Sequence, residues 1–408
     1  MPELTGTLRL PARVHFGYGT RAQLAEVVAV HGRRVLAVVD PFLRGSRHLA
    51  DIVTGLETAG LTVRVHSDIT PELPVATLDG AAELARTYGA DVILAIGGGS
   101  ALDAAKVVAL LATHGGPLSR YYGENLVPGP VLPIVAVPTT AGTGSEVTPV
   151  AVVSDPEREL KVGVSSPFLV PAAAVVDPEL TLGAPATVTA YSGIDALVHA
   201  VESFTARPLD PDWASTVPVF TGRNALAESV ALQAAAHLGP WLSPAVHTPA
   251  DRRAREEVAR GALLAGIAFG STGTHLCHAL QYPIGAMTST PHGLGTGLLL
   301  PYALDVMRTE PDIADRIARL GAALEGLPAQ EASAERTIRR IVEINHAVGV
   351  PGSLTEIGIS RDQLPQIAGL AQKSQRLLAI APVEPTHELL LDLLGRALAG
   401  TLKKETLA

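Results

Sequence analysis

Up to about residue 185, short β-branched apolar runs alternate with amphipathic stretches that carry capping signals; beyond it the periodicity is helical almost throughout. Alternation of that kind implies βα units and a mainly parallel sheet. Arg34–Asp40 (RVLAVVD), Leu61–His66 and Asp91–Ile96 (DVILAI) read as strands, and a second group is predicted at Ile134–Val137, Val147–Val153 and Ala172–Val176. Thr20 and Gln23 match a T-x-x-Q capping box that opens a helix closed by Gly32, with further helices at Ser46–Gly60 and Leu78–Gly89. Later stretches such as DRRAREEVARGALLAGIAF and ERTIRRIVEINHAVG keep a helical period. The pattern predicts an α/β N-terminal nucleotide-binding domain over residues 1–185 and an all-α C-terminal domain over residues 186–408.

A chain of 408 residues is too long for one small core, and 47% hydrophobic residues supply ample apolar surface for two. No apolar run approaches the roughly 18 residues that a membrane span requires; Gly261–Gly270 is bounded by Arg260 and Ser271. The opening MPELTGTLRL lacks the apolar segment of a signal peptide, and a lone cysteine, Cys277, leaves neither an intrachain disulfide nor a thiolate zinc cluster. A cytoplasmic address is the expectation. Net charge is −9, without a basic stripe, so nucleic acid is not an expected partner.

Gly97-Gly98-Gly99-Ser100 follows a predicted strand and opens a helix over Ala101–Leu111. Glycines there let backbone N–H groups approach a pyrophosphate, and a helix N-terminus favours its charge; a tight βα turn also asks for glycine. Asp40 ends RVLAVVD, where a carboxylate accepts hydrogen bonds from an adenosine ribose and opposes a 2′-phosphate, favouring NAD over NADP. Before Pro41 it serves equally as a turn initiator. A second loop, Pro138–Glu146, gathers Thr139, Thr140, Thr143 and Ser145, which can bind a nucleotide or cap the next element.

Asp195 and His199 stand four apart in the apolar helical segment SGIDALVHAVESF, which puts a carboxylate and an imidazole on one face. His278 in THLCHALQYPIG and His292 in STPHGLG add two imidazoles. Three His and one Asp suit Fe²⁺ or Zn²⁺, with Mn²⁺ or Co²⁺ also compatible. A buried carboxylate beside a buried imidazole needs a compensating charge or hydrogen bonds. Cys277 points about 100° away from His278 on a helix and reads as a packed thiol.

Taken together, GGGSALDAAK (97–106), PTTAGTGSEVTPVAVVSD (138–155), SGIDALVHAVES (192–203) and HALQYPIGAMTSTPHG (278–293) resemble the signature blocks of the iron-containing (group III) alcohol dehydrogenases, in the family's order. The resemblance implies a dehydroquinate synthase-like fold and a metal-dependent hydride transfer between NAD(P) and an alcohol, aldehyde or ketone. It implies Fe²⁺ (or Zn²⁺) held by Asp195, His199, His278 and His292, and a homo-oligomer, expected as a homodimer. Cofactor contacts would fall on Asp40, Gly97, Gly98, Gly99, Ser100, Asp103, Thr139, Thr140, Thr143, Thr148 and Lys161. Three departures stand out. Tyr282 occupies the place of a frequent family histidine and becomes the candidate proton-relay group, or packs before Pro283 where a helix ends. The family's P-N-P turn is Pro71-Glu72-Leu73-Pro74, and Val150 replaces an Asn. HALQYP is closer to the maleylacetate reductase and hydroxyacid–oxoacid transhydrogenase branches. The rival from another class is a dehydroquinate synthase-like lyase, which carries a Glu among its metal ligands and a basic site; here the ligand helix offers Asp195.

Overall fold

The computed structural model describes residues 5–70, 73–158 and 161–403; Pro71 and Glu72 of the P-E-L-P turn lie outside them. The chain separates into two compact units with the main joint at Ala184–Pro185. The segment ending at Leu8 groups with the second, helical unit, and Asp212–Val219 with the first.

Among the described residues, the first unit is built on nine strands: β1 (Arg13–Phe16), β2 (Arg34–Val39), β3 (Thr62–His66), β4 (Val92–Gly97), β5 (Gly123–Glu124), β6 (Ile134–Pro138), β7 (Val150–Val153), β8 (Val162–Ser165) and β9 (Ala173–Val176). Six of them form one parallel sheet in the order β1-β9-β6-β4-β2-β3, and β5-β8-β7 form a small second sheet. Four helices accompany them: α1 (Leu24–Ala29), α2 (Arg47–Thr58), α3 (Val75–Tyr88) and α4 (Gly99–His114).

The continuous apolar character of RVLAVV has a direct cause, since a parallel strand is buried on both faces. Leu36 and Val38 of β2 join Leu78 and Ala82 of α3 and Leu102 of α4 in one core. Val35, Ala37 and Val39 join Leu24 of α1 and Ile52 of α2 in the other. The chain leaves β2 towards β3 on one side and β4 towards β6 on the other, so the strand order reverses between β2 and β4. Open α/β sheets bind ligands at such a switch point, beyond the carboxyl ends of the strands.

The second unit holds α5 (Ala186–Thr205), α6 (Ala225–His247), α7 (Arg252–Thr272), α8 (Leu276–Thr288), α9 (His292–Met307), α10 (Pro311–Glu325), α11 (Ala334–Ala347), α12 (Leu364–Ala371), α13 (Gln375–Leu378) and α14 (His387–Ala399). Helix α5 packs against α6, α7 and α9 and is continuously buried from Gly193 to Thr205, as expected of a helix apolar on all sides. Among the described residues, no helix is long and apolar enough to cross a membrane.

Several local expectations need correction. The T-x-x-Q capping box does not form. Gly19, at φ 80°, caps a 3-10 turn over Thr20–Gln23, the Thr20 hydroxyl donates back to Gly17 O, and Gln23 Oε1 pairs with His15 Nδ1. The helix that follows ends at Ala29 rather than at Gly32. Helix α3 starts three residues before Leu78, and Ser145–Val147 is a 3-10 turn, which shortens the predicted Val147–Val153 strand to β7. The strands β1, β5 and β8 were not expected.

Candidate metal and nucleotide sites

In the α/β unit, register brings the strand ends level. Val39 is opposite Ile96 and Gly97 is opposite Pro138. Asp40 N–H donates to Ile96 O (2.9 Å) and Thr139 N–H to Gly97 O (3.0 Å), so Asp40, the glycine turn and the hydroxyl-rich loop share one rim. Two glycines are sterically required. A Cβ on Gly97 (φ 153°) would lie 2.6 Å from Asp40 Cβ and 2.7 Å from Ala101 Cβ; one on Gly99 would lie 2.7 Å from Thr143 Cγ2. At Gly98 the nearest side-chain atoms are those of Thr140 at 3.4–3.5 Å and Asp40 Oδ2 at 3.9 Å. Helix α4 begins at Gly99, so the N–H groups of Gly99 and Ser100 have no intrahelical carbonyl and suit an anion. Asp40 acts as the turn initiator, its Oδ1 accepting from Phe42 N–H at 2.9 Å, while its Oδ2 lies on the Gly98 side.

Asp103 and Thr148 are engaged within the protein. Asp103 accepts from the Ser145 hydroxyl (2.6 Å) and Val152 N–H (2.9 Å). Lys106, wholly buried, donates to the carbonyls of Thr148 (2.9 Å) and Val150 (2.8 Å) and to the Thr148 hydroxyl (3.3 Å). Burial lowers its ammonium to about 8 against the attraction of Asp103 and Glu146, and burial raises the Glu146 carboxyl to about 7. Lys161 is half-buried, and its charge favours the Asp103 carboxylate. Lys106, Ser145 and Glu146 fasten α4 to the loop after β6. Sequence reasoning had Ser145 as a nucleotide contact or cap and overlooked Lys106 and Glu146, although a lysine in the apolar face of AAKVVALL was a signal.

In the helical unit, α5 supplies Asp195 and His199 on consecutive turns, α8 supplies His278 in its first turn, and α9 starts at His292. Three imidazoles approach the Asp195 carboxylate through Nε2: His199 at 3.8 Å, His278 at 3.9 Å and His292 at 3.8 Å. These separations are too long for hydrogen bonds. They are about what ligands bonded at ~2.1 Å to a shared cation require. Ligand atoms of Asp195, His278 and His292 all lie within 4.8 Å of one another; His199 meets this set through Asp195, its ring stacked on Phe269 and His278.

The donor set fits a divalent metal. His278 Nδ1 lies 2.7 Å from Glu202 Oε2, which puts the proton on Nδ1 and leaves Nε2 as a lone pair; that atom is buried and has no hydrogen-bond partner among the described residues. The Thr296 hydroxyl donates to Asp195 Oδ1 at 2.8 Å and fixes the carboxylate. Burial raises the Asp195 carboxyl, but the neighbouring imidazoles and Thr296 outweigh it and hold the group below its ordinary range. Burial, then repulsion from His199 and His292, hold His278 well below the usual imidazole value, in the neutral form that ligates metal. His292, a third exposed, is the open side of the set.

Glycine lets α9 come this close. A Cβ on Gly293 would strike Tyr191 O and Asp195, and one on Gly297 would lie 2.7 Å from Ile194, so both press on α5; Gly295 faces Gln281 of α8. Tyr282 stands one turn beyond His278, its ring stacked 6.2 Å from that of His292. The helix does not end there: α8 passes through Pro283 and runs to Thr288. Cys277 is buried, and burial pushes its thiol well up, as befits a packed group.

A glycine turn that suits an anion in one unit and a histidine–aspartate cluster that could hold a metal in the other are features that a metal-dependent dehydrogenase needs. Residues 11–178 match the family Iron-containing alcohol dehydrogenase, and residues 189–398 match Fe-containing alcohol dehydrogenase family, C-terminal. The chain belongs to the iron-containing alcohol dehydrogenase family. It is 33% identical to long-chain-alcohol dehydrogenase 1 of Geobacillus thermodenitrificans, over 96% of each chain. It is 31% identical to an NAD-dependent methanol dehydrogenase of Bacillus methanolicus, over 83% of this chain and 86% of that one. The crystal structure of a 1,3-propanediol oxidoreductase superposes with a TM-score of 0.88 at 28% identity, covering 96% of this chain and all of the other. These likenesses favour the dehydrogenase over the lyase.

Proposed function

We propose that this protein interconverts an alcohol and its aldehyde or ketone with NAD(H), on Fe²⁺ held by Asp195, His199, His278 and His292. The observation that carries the reading is the convergence of three Nε2 atoms on one buried carboxylate, with the unpartnered Nε2 of His278 among them. The metal supplies Lewis acidity towards the substrate oxygen, and the nicotinamide supplies the hydride chemistry. Asp195 carries the negative charge that a divalent cation needs, and Thr296 holds its rotamer. His292 leaves the site open on one side, where Tyr282 offers a hydroxyl as donor or acceptor to a proton in transit.

For the cofactor, Gly97, Gly98, Gly99 and Ser100 with Thr139, Thr140 and Thr143 surround the pyrophosphate, and Asp40 takes the ribose and favours NAD over NADP. Asp103, Thr148 and Lys161, expected as cofactor contacts, take a supporting role instead: Asp103 holds Ser145, Thr148 holds Lys106, and the charge of Lys161 favours the Asp103 carboxylate. A cytoplasmic address and a homodimer belong to the same reading, the first resting on the single cysteine. Metal-free protein reconstituted with Fe²⁺ or Zn²⁺ and assayed by NADH absorbance against a panel of alcohols and aldehydes tests it. Turnover should return with metal and not without it; equal activity in a chelator rejects the reading.

One observation favours a second reading, an oxo- or hydroxyacid substrate. The half-buried Arg376 guanidinium sits 4.6 Å over the Phe220 ring, and its positive charge reaches His278. A carboxylate-bearing substrate would meet that charge, so 2-hydroxy and 2-oxo acids belong in the same panel. Preference for them, abolished in Arg376→Met, would select this reading.

A further inference from the structure

Helix α5 carries a third functional-looking group beyond Asp195 and His199. Glu202 follows them at the spacing i, i+4, i+7, on one face of the helix. It is 1% exposed, and among the described residues its ion pairs are with the imidazoles of His275 and His278. Such a carboxylate is costly unless its lone pairs are occupied. Here they are. Oε1 accepts from Cys277 N–H at 2.6 Å, and Oε2 accepts from His275 N–H at 2.9 Å and from His278 Nδ1 at 2.7 Å. The neighbouring His275 ring, whose Nδ1 lies 3.3 Å from Oε1, offers it no proton. Its Nδ1 already accepts from Leu276 N–H (2.8 Å), and its Nε2 lies 3.0 Å from the Thr205 hydroxyl, whose own proton goes to Val201 O.

Two of the three donors are backbone groups at the start of α8, and the third is the ring of the histidine in that helix's first turn. We propose that Glu202 is a positioning residue for the metal: it locks α8 by its N-terminus and, through the same carboxylate, fixes His278 as the Nδ1–H tautomer with Nε2 aimed at the cation. Helix α5 then governs three of the four ligands, two directly and His278 from behind. The inference rests on the four-ligand reading above. Partners of this kind on a ligating imidazole set its tautomer and raise its basicity, and their loss typically costs 10–100-fold in metal affinity.

The test compares Zn²⁺ affinity, by chelator competition, in the parent, Glu202→Gln and His278→Ala, with Co²⁺ spectra of the first two. Glutamine preserves volume but keeps a single acceptor oxygen: its NH2 must face either Cys277 N–H or the pair His275 N–H and His278 Nδ1, and in the second orientation it turns His278 towards the other tautomer. Glu202→Gln should bind Zn²⁺ about 10–100-fold more weakly and shift the Co²⁺ visible bands, while NADH binding to the α/β unit stays as in the parent. Parent-like affinity with unchanged bands would reduce Glu202 to a helix cap and overturn the proposal. Should the variant fail to fold, ¹⁵N-histidine spectra of the metal-free parent decide. The signal absent from His278→Ala must be an Nδ1–H tautomer; an Nε2–H tautomer overturns it. If His278→Ala itself keeps parental affinity, the ligand set has failed, which is a different result from failure of Glu202 alone.

Discussion

The two units build their sites from different materials. In the α/β unit the rim is mostly backbone: glycines that no side chain can replace, N–H groups at the start of α4, and hydroxyls on one loop, all within the 49 residues between Gly97 and Ser145 counted inclusively. In the helical unit the cage is all side chain, delivered by α5, α8 and α9, with members spread from Asp195 to His292. A backbone site depends on local conformation and tolerates change around it. A side-chain cage depends on how closely three helices pack, so it inherits every error in that packing.

This contrast can be broken at either end. The largest effect should come from the cage: His278→Ala removes a ligand and should abolish turnover and metal content while NADH still quenches or shifts fluorescence as in the parent. Metal retained with full activity would sink the assignment. Tyr282→Phe keeps the ring stacked near His292 and deletes only the hydroxyl. It should lower kcat by about 10²-fold with metal content unchanged; parental kcat from mildly acidic to strongly alkaline pH would make Tyr282 a packing residue.

At the backbone site the effects should be smaller and confined to the nucleotide. Gly99→Ala places a methyl 2.7 Å from Thr143 Cγ2, and should raise Kd for NADH by about tenfold, or about 1.4 kcal/mol, with metal content intact. A parallel loss of metal would show that the sites are not independent. Smallest of all, Asp40→Gly should narrow the preference for NAD over NADP, read as the ratio of kcat/KM values. A parent that already favours NADPH tenfold would mean that Asp40 does not face the ribose.

The same contrast explains what could be read from the sequence. Strands β2 and β4 were visible because burial on both faces makes them uninterrupted apolar runs, and the GGGS turn because its chemistry is contiguous. Asp195 and His199 were visible through their i, i+4 spacing in an apolar helix. Strand β1 was missed because none of its four residues is buried, and β8 because a glycine interrupts it. Glu202 gave only a weak signal, a lone acid in an apolar run, since its value lies in a helix more than 70 residues away. The capping box at Thr20 misled because Gly19 in a left-handed conformation started the turn first.

The glycines of α9 set a limit on how this enzyme can be remodelled. With Gly293 and Gly297 flush against α5 and Gly295 against Gln281 of α8, the helix is a shim of fixed thickness, and an added carbon at Gly293, which meets backbone, should push His292 away from Asp195. A library randomised at these three positions should yield metal-poor protein rather than new substrate ranges. Under the proposed function, breadth of substrate should instead be tuned around Tyr282, whose ring lies against that of the partly exposed His292.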